Sequence, residues 1–163
     1  MTMYECQPVD TSFLDTAKNR FEAVVEIKAT REQLFDAFED ADSWPKWAVP
    51  ITHVEWTSPK PFGVGTTRTV TMIGNLVGEE EFIAWERGKR MAFRFNRASS
   101  TTIKAFAEDY HVEELSPEHY RLTWIMAMTP GGAGQVTMPL VAPLMRVGLQ
   151  WMLGRFKRYV ETS

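Results

Sequence analysis

The spacing of apolar residues predicts a different kind of element in each part of the chain. Residues 21–28 alternate in part and are rich in β-formers, which predicts a first strand. Thr30 and Gln33 have the spacing of a capping box, and apolar residues at helical spacing follow them. We therefore predict a helix that ends near Asp40. A second, short helix is expected just after it, with Pro45 in its first turn, where a missing N–H costs little.

From residue 51 onward, β-forming segments are separated by short turns that contain Gly, Pro, Asn and Ser. Connections this short favour antiparallel neighbours in a sheet, so this region predicts a long meander. The six predicted strands span residues 51–58, 66–73, 76–86, 90–98, 102–114 and 119–128.

The last apolar segment predicts one long helix. A flexible loop is expected at residues 130–135, and the helix is expected to begin at Pro139 or Pro143 and to reach about Val160. Its first turns are apolar nearly all round, a pattern typical of a helix that is buried on every side. A sheet has an apolar face to cover, and this helix is the only predicted element long enough to cover it.

Composition is consistent with one globular domain. The chain has 163 residues, of which 44% are hydrophobic and 24% charged. We assign residues 1–20 to an N-terminal tail and residues 21–162 to the domain. A net charge of −3 argues against a nucleic-acid partner, because affinity for phosphates comes from a basic surface. Six Trp, ten Phe and nine Met suit a roomy interior.

Neither secretion nor membrane insertion is predicted. Cys6 is the only cysteine, so no internal disulfide is expected, and we interpret it as a thiol in a loosely held tail. The N-terminal residues lack the basic start and apolar run of a signal peptide. Residues 138–153 are apolar, but we interpret them as too short and too interrupted to cross a bilayer. We therefore expect a cytoplasmic protein without a transmembrane segment, possibly a homodimer.

Four segments resemble one group of proteins. They are residues 27–47, which read IKATREQLFDAFEDADSWPKW; residues 61–68, PFGVGTTR; residues 85–95, WERGKRMAFRF; and residues 108–124, EDYHVEELSPEHYRLTW. With the order of elements, they are similar to the polyketide cyclase/dehydrase-like proteins of the START-like (SRPBCC) superfamily, which also includes the Bet v 1 allergens. The resemblance covers residues 21–160. It implies an α+β helix-grip fold, in which a curved seven-stranded antiparallel sheet wraps around the C-terminal helix and leaves a hydrophobic cavity.

The resemblance also implies a range of functions. Members of the superfamily bind lipids, sterols, polyketides or plant hormones, and only some are enzymes. Our leading hypothesis is therefore binding of a hydrophobic small molecule, a lipid, a polyketide or an aromatic compound, without a cofactor. The first alternative is a polyketide cyclase/dehydratase-type enzyme that positions its substrate and uses Glu108, Arg68 or Tyr110 in acid–base catalysis. The second is a partner-binding module with no small-molecule ligand.

Strand alternation identifies the side chains that would face a cavity. In residues 66–73 and 102–114, the apolar face also carries Arg68 and Glu108. These two could form a structural ion pair, lie at the rim or orient a polar group of a ligand, and Glu108 could transfer a proton with a pKa raised by desolvation. The predicted ligand contacts are Trp56, Arg68, Val70, Met72, Phe93, Phe95, Phe106, Glu108, Tyr110, Trp124, Met126, Met128, Leu144, Met145, Gly148, Trp151 and Met152.

A tryptophan-rich segment precedes the meander. Trp44 and Trp47 are three residues apart, so they are expected to share one face of the short helix and to close one end of the cavity. Trp56 alternates with Val54 and is the best candidate of the three for a ligand contact.

Other reactive residue types match no catalytic or metal-binding pattern. His53, His111 and His119 lack metal-ligand spacing, so no metal site is predicted, and all three are expected at the surface. No nucleophile elbow is present, so no covalent catalysis is expected. Residues 131–134 are glycine-rich but lack the lysine of a phosphate-binding loop, and we interpret them as a lid over the cavity mouth.

Overall fold

The computed structural model describes residues 1–163, and its main feature is a curved antiparallel sheet around one long helix. The strands are β1 (Tyr4–Glu5), β2 (Asn19–Lys28), β3 (Ile51–Trp56), β4 (Thr67–Met72), β5 (Leu76–Glu86), β6 (Arg90–Ala98), β7 (Ile103–Ser116) and β8 (His119–Pro130). The helices are α1 (Phe13–Thr16), α2 (Arg31–Glu39), α3 (Trp44–Trp47) and α4 (Gly134–Glu161). Single 3-10 turns, Ala41–Ser43 and Ile73–Asn75, precede α3 and β5.

Seven strands form the continuous sheet, in the order β2-β8-β7-β6-β5-β4-β3. Consecutive strands from β3 to β8 are antiparallel neighbours, so the predicted meander is confirmed. The bounds of these strands lie within two residues of those predicted from alternation. The two-residue β1 adds to β6 outside this order. The architecture is the α+β helix-grip fold.

The capping box predicted at the start of α2 is present. The backbone N–H of Gln33 donates to Thr30 Oγ1 at 3.1 Å, and the backbone N–H of Thr30 donates to Gln33 Oε1 at 2.8 Å. These reciprocal bonds satisfy two donors that the first helical turn leaves free. They fix the point at which the chain leaves β2 and begins α2.

The N-terminal residues pack against the sheet more closely than the sequence suggested. Backbone N–H groups of Cys6 and Gln7 donate to the carbonyl oxygens of Asn96 and Lys104, both at 2.9 Å. Cys6 is buried, and burial raises the pKa of its thiol. Leu14 covers small residues on the outer face of the sheet. The expectation of a loosely held thiol is wrong, because β1 and these bonds hold the segment in place.

Helix α4 is tied to β2, which is an edge strand of the sheet. The side-chain amide of Gln150 donates to the carbonyl oxygen of Val24 at 2.9 Å and accepts from the backbone N–H of Val24 at 3.2 Å. Glu161 Oε2 accepts from the backbone N–H of Lys28 at 2.8 Å. Side chains of the helix therefore satisfy backbone groups that an edge strand leaves unpaired.

The burial of α4 differs from the prediction. The helix begins at Gly134, so Pro139 and Pro143 lie inside it, and the loop before it is shorter than expected. Its fully buried residues are all in its C-terminal half, namely Leu149, Leu153, Phe156 and Val160. The expectation of a helix buried on every side is wrong. The sheet covers only one face of the N-terminal half, and apolar side chains on the other face are exposed.

Helix α4 is also longer than the apolar run that was considered too short to cross a bilayer. It has 28 residues, and its most apolar 18-residue window has a mean hydropathy of 1.2, with 22% of that window buried. By length and composition alone, this one helix could cross a membrane.

We predict that Phe156→Ala lowers the free energy of unfolding by about 3–5 kcal/mol, because the truncation leaves a cavity in the core. The Phe156 ring is fully buried and stacks on Phe38, with 4.9 Å between ring centroids. Urea unfolding followed by circular dichroism measures the change. Leu144→Ala, on the exposed face of the same helix, is the matched control and should change stability by less than about 0.5 kcal/mol. Equal effects of the two variants would contradict this assignment of the buried face.

Candidate functional site

A cavity of about 190 Å³ lies between the sheet and α4. Thirteen of its sixteen lining residues are hydrophobic. The strands β4 to β8 supply its floor, α3 and the start of β3 close one end, and α4 covers it with Met145 and Met152. The cavity is therefore an apolar space between the two layers of the fold, with room for a small ligand.

Most of the predicted ligand contacts line this cavity, because strand alternation places them on the inner face of the sheet. Two of these residues, Met145 and Met152, lie on α4 and not on a strand. The predicted residues that line the cavity are Val70, Met72, Phe95, Phe106, Glu108, Tyr110, Trp124, Met126, Met128, Met145 and Met152.

Six predicted contacts do not line the cavity. Leu144 and Trp151 are exposed, because they lie on the face of α4 that points away from the sheet. A Cβ at Gly148 would meet no atom within 4 Å, so close approach of a neighbouring strand does not explain that glycine. The other three lie in a neighbouring aromatic cluster: Arg68, Phe93 and Trp56.

Five lining residues are not among the predicted ligand contacts: Trp44, Ala48, Pro50, Ile51 and Glu80. Trp44 lies in α3, which was expected to close one end of the cavity, and Ala48 and Pro50 follow in a segment without strand periodicity. Ile51 is the first residue of β3. Glu80 had a detectable signal, because it alternates with the buried Gly78 and Phe82 in β5. The run of three glutamates from residue 79 to 81 hid this alternation.

Arg68 forms a buried ion pair with Glu80 and not with Glu108. The two residues are direct cross-strand neighbours in the β4–β5 pair. Arg68 Nε donates to Glu80 Oε2 at 2.5 Å, and both side chains are buried. Taking two charges out of water is costly, and this close pairing offsets the cost.

The rest of the Arg68 guanidinium lies among aromatic rings. Its central carbon is 4.2 Å from the Trp44 ring centroid and 4.7 Å from that of Phe93. Neither terminal nitrogen donates a hydrogen bond to a protein atom. Cation–π attraction to these rings takes the place of such bonds. Trp56, at 5.3 Å from the same carbon, belongs to this cluster and stacks on Phe62.

Glu108 lies beside this ion pair and faces the cavity. Its Oε1 accepts hydrogen bonds from the hydroxyl of Tyr110, at 3.1 Å, and from the indole N–H of Trp124. Both of these hydrogen bonds go to Oε1 and none to Oε2. Burial, together with the neighbouring charge of Glu80, raises the pKa of Glu108 to about 8. Glu108 is therefore protonated at neutral pH.

The two carboxyl groups share one negative charge. Burial raises the pKa of Glu80, and the Arg68 guanidinium opposes that rise. One guanidinium is balanced by one carboxylate, and a second buried carboxylate would be uncompensated. We assign the charge to Glu80, which bonds Arg68, and the proton to Glu108. Burial and the adjacent Glu108 raise the pKa of Tyr110 well above its ordinary value, so its hydroxyl is neutral.

The histidines lie away from the cavity. His53 is exposed on β3. His111 and His119 hydrogen-bond to Asp109, at 2.8 Å, and to Glu26, at 3.0 Å. None of the three lines the cavity.

A surface groove adjoins the cavity beside the N-terminal half of α4. Met128 and Met145 line both the cavity and this groove, which has a volume of about 340 Å³. Residues 130–134 form one edge of the groove, where the backbone N–H of Gly131 donates to Thr102 at 2.9 Å. The glycine-rich segment is thus a short tied turn at the groove. The groove and the cavity therefore meet at these two methionines.

Comparisons of the sequence with known proteins agree with this geometry. The sequence profile of the family described as "Polyketide cyclase / dehydrase and lipid transport" matches residues 18–161. Uncharacterized proteins of Mycobacterium tuberculosis H37Rv and Mycobacterium bovis are each 46% identical over 159 residues, which is 98% of this chain and 95% of theirs.

Solved structures show the same fold at low sequence identity. A hypothetical protein from Helicobacter pylori superposes with a TM-score of 0.75 at 16% identity, over 98% of this chain and 99% of that one. A START superfamily protein from Mycobacterium smegmatis gives 0.72 at 14% identity, over 88% and 97%. The di-domain ARO/CYC BexL gives 0.68 at 13% identity, over 87% of this chain and 46% of that one.

We predict that the wild-type protein loses stability relative to Glu108→Gln as pH rises from about 5 to about 9. The carboxyl has an ordinary pKa of 4.5 and a folded pKa of about 8, so the folded state binds more protons in this window. The free energy of unfolding therefore falls as pH rises, by an amount on the order of a few kcal/mol. The glutamine amide still accepts from Tyr110 and Trp124 but does not titrate.

Urea unfolding at several pH values measures both proteins. Glu55→Gln, on the exposed side of β3, is the control for loss of a surface carboxyl and should keep the wild-type pH dependence. Parallel curves for wild type and Glu108→Gln would show that Glu108 is ionised in the folded protein, against our assignment.

Proposed function

The chain belongs to the polyketide cyclase / dehydrase and lipid transport family, and we propose that it binds a small amphipathic molecule. Family and fold support a START-like domain that binds a hydrophobic ligand. Our proposal adds that the ligand has an apolar body in the cavity and a neutral oxygen atom at Glu108. The observation that carries it is an apolar cavity with one protonated carboxyl group in its wall.

The size of the cavity limits the apolar body. A dry cavity of about 150 Å³ holds a molecule such as benzene, so about 190 Å³ accommodates a single ring with a short substituent. Larger ligands require the side chains to move. Five methionines line the space, and their unbranched, flexible side chains can repack around ligands of different shape. These five are Met72, Met126, Met128, Met145 and Met152.

Glu108 determines the polar requirement. Its Oε1 is already occupied by Tyr110 and Trp124, so Oε2 carries the proton and is free to donate to a ligand. A carbonyl or hydroxyl oxygen is the matching acceptor. A ligand carboxylate would instead meet the charge of Glu80, which also lines the cavity. We therefore infer a neutral ketone, alcohol, phenol or related oxygen group.

Acetophenone and its hydrocarbon isostere α-methylstyrene test this proposal. Both should shift the NMR signals of the cavity methionine methyl groups, because both fit the apolar space. Acetophenone should bind about five- to tenfold more tightly at pH 6, since one additional hydrogen bond is worth about 1 kcal/mol. This advantage should disappear as pH rises through about 8, where Glu108 loses its proton.

Two variants serve as controls for this experiment. Glu108→Gln retains a donor that does not titrate, so the preference for acetophenone should persist at high pH. Ala48→Leu fills part of the cavity and should weaken both probes while circular dichroism shows the native fold. Methionine signals that respond to neither probe would overturn the binding proposal. An unchanged pH dependence in Glu108→Gln would remove Glu108 as the polar contact.

A cyclase or dehydratase activity is the second candidate, and the protonated Glu108 is the observation in its favour. A carboxyl group with a pKa of about 8 in an apolar cavity can act as a general acid near neutral pH. A short β-hydroxy ketone with an aromatic end is a suitable probe, because it loses its α proton and its hydroxyl group as water, and a general acid can protonate the leaving hydroxyl. If Glu108 is catalytic, Glu108→Gln should retain binding and lower the rate of dehydration at least about 100-fold. Unaltered turnover in that variant would exclude this role.

A further inference from the structure

The N-terminal half of α4 presents a line of apolar side chains to solvent. Successive members are three or four residues apart, so they lie on one face of the helix. They are Val136, Leu140, Leu144, Val147 and Trp151, and their exposed fractions are 78%, 77%, 72%, 70% and 53%. We refer to these five residues as the α4 stripe. A contiguous exposed apolar surface marks an interaction site on a folded protein.

The stripe ends in positive charge. Arg155 and Arg158 continue the same helical spacing after Trp151. The Arg155 guanidinium carbon is 5.2 Å from the Trp151 ring centroid, and one of its amino groups donates to the carbonyl oxygen of Lys46 at 2.7 Å. The helix face thus changes from aliphatic residues to an aromatic residue and then to cations, with Lys46 beside them.

The arginines of α4 differ from the other arginines of the protein. No Asp or Glu occurs from residue 119 to 160, although the whole chain has a net charge of −3. Arg146, Arg155 and Arg158 form no salt bridge. Every arginine outside α4 pairs with a carboxylate: Arg20, Arg31, Arg68, Arg87, Arg90, Arg94, Arg97 and Arg121. The α4 cations are therefore left to balance an external negative charge.

We propose that the α4 stripe docks the protein on a lipid bilayer with anionic headgroups. The aliphatic side chains enter the boundary of the acyl chains, Trp151 lies at the headgroup level, and Arg158 contacts the anionic groups. The stripe and the two arginines that follow it, residues 136 to 158, extend over about 33 Å at 1.5 Å per residue, long enough to lie along the surface. Helix α4 does not span the bilayer in this arrangement, because Leu153 and Phe156 remain in the core.

A second copy of the chain is a poorer occupant of this surface. Two stripes packed in parallel would bring the arginines of both helices together. Packed antiparallel, they would leave the arginines at the two ends unpaired, because α4 has no carboxylate before Glu161. Like charges at an interface are unfavourable. An anionic lipid surface instead satisfies both the apolar side chains and the cations.

Docking in this way would place the groove near the membrane. The groove that adjoins the cavity lies beside residues 133–138, in the same half of α4 as the stripe. The proposal goes beyond ligand binding in the cavity, and its test does not use a cavity ligand.

Vesicle flotation measures the binding directly. We expect the protein to float with vesicles of phosphatidylcholine and phosphatidylserine, and at least about fivefold less with phosphatidylcholine alone, since each cation near an anionic surface contributes about one fivefold step. Leu140→Ser/Val147→Ser should lower the partition constant more than tenfold, because each side chain loses most of its apolar burial. Arg158→Glu should lower it about 25-fold on the anionic vesicles only, because the change removes one cation and adds one anion.

Matched variants separate this surface from general effects. Val64→Ser/Ile73→Ser removes two exposed apolar residues elsewhere, and Lys89→Glu makes the same charge change at the β5–β6 turn. Both should bind like wild type, and circular dichroism should show every variant folded. Absence of wild-type flotation, or equal losses in the matched variants, would overturn the proposal. So would a dimer in solution that dissociates on Leu140→Ser/Val147→Ser, since it would assign the stripe to a second copy.

Discussion

The buried pair of Arg68 and Glu80 constrains the chemistry of the whole interior. A guanidinium enclosed by aromatic rings keeps its charge and requires one nearby carboxylate. A second carboxylate in the same low-dielectric region would have no counter-charge, so Glu108 retains its proton. The cavity is therefore apolar with a neutral donor in its wall. This character follows from the ion pair between β4 and β5 and not from Glu108 alone.

The two halves of helix α4 have different roles. Its C-terminal half stabilises the fold, since Phe156 packs on Phe38 and Trp47 and Glu161 satisfies the edge of β2. Its N-terminal half covers the cavity with Met145 on one side and leaves aliphatic residues in solvent on the other. The buried residues of α4 are thus concentrated in its C-terminal half, and the less buried N-terminal half is adjacent to the groove and the cavity.

The similar structures share the layers of this fold at identities of 16% or less, which leaves the chemistry of each interior free to differ. In this chain, the interior contains two carboxyl groups with one charge between them and a lining rich in methionine. The fold provides a cavity between sheet and helix, and these side chains decide what that cavity accepts.

Local patterns were sufficient for the strands, the capping box at Thr30 and the inward direction of Arg68 and Glu108, because a two-residue period or a three-residue spacing depends only on neighbouring positions. The partner of Arg68 was not accessible in this way. Glu80 faces it only through the register of the β4–β5 hairpin, and a register is a relation between strands. The same holds for α4: its composition predicted burial on every side, but the area that the sheet can cover decided which face meets water.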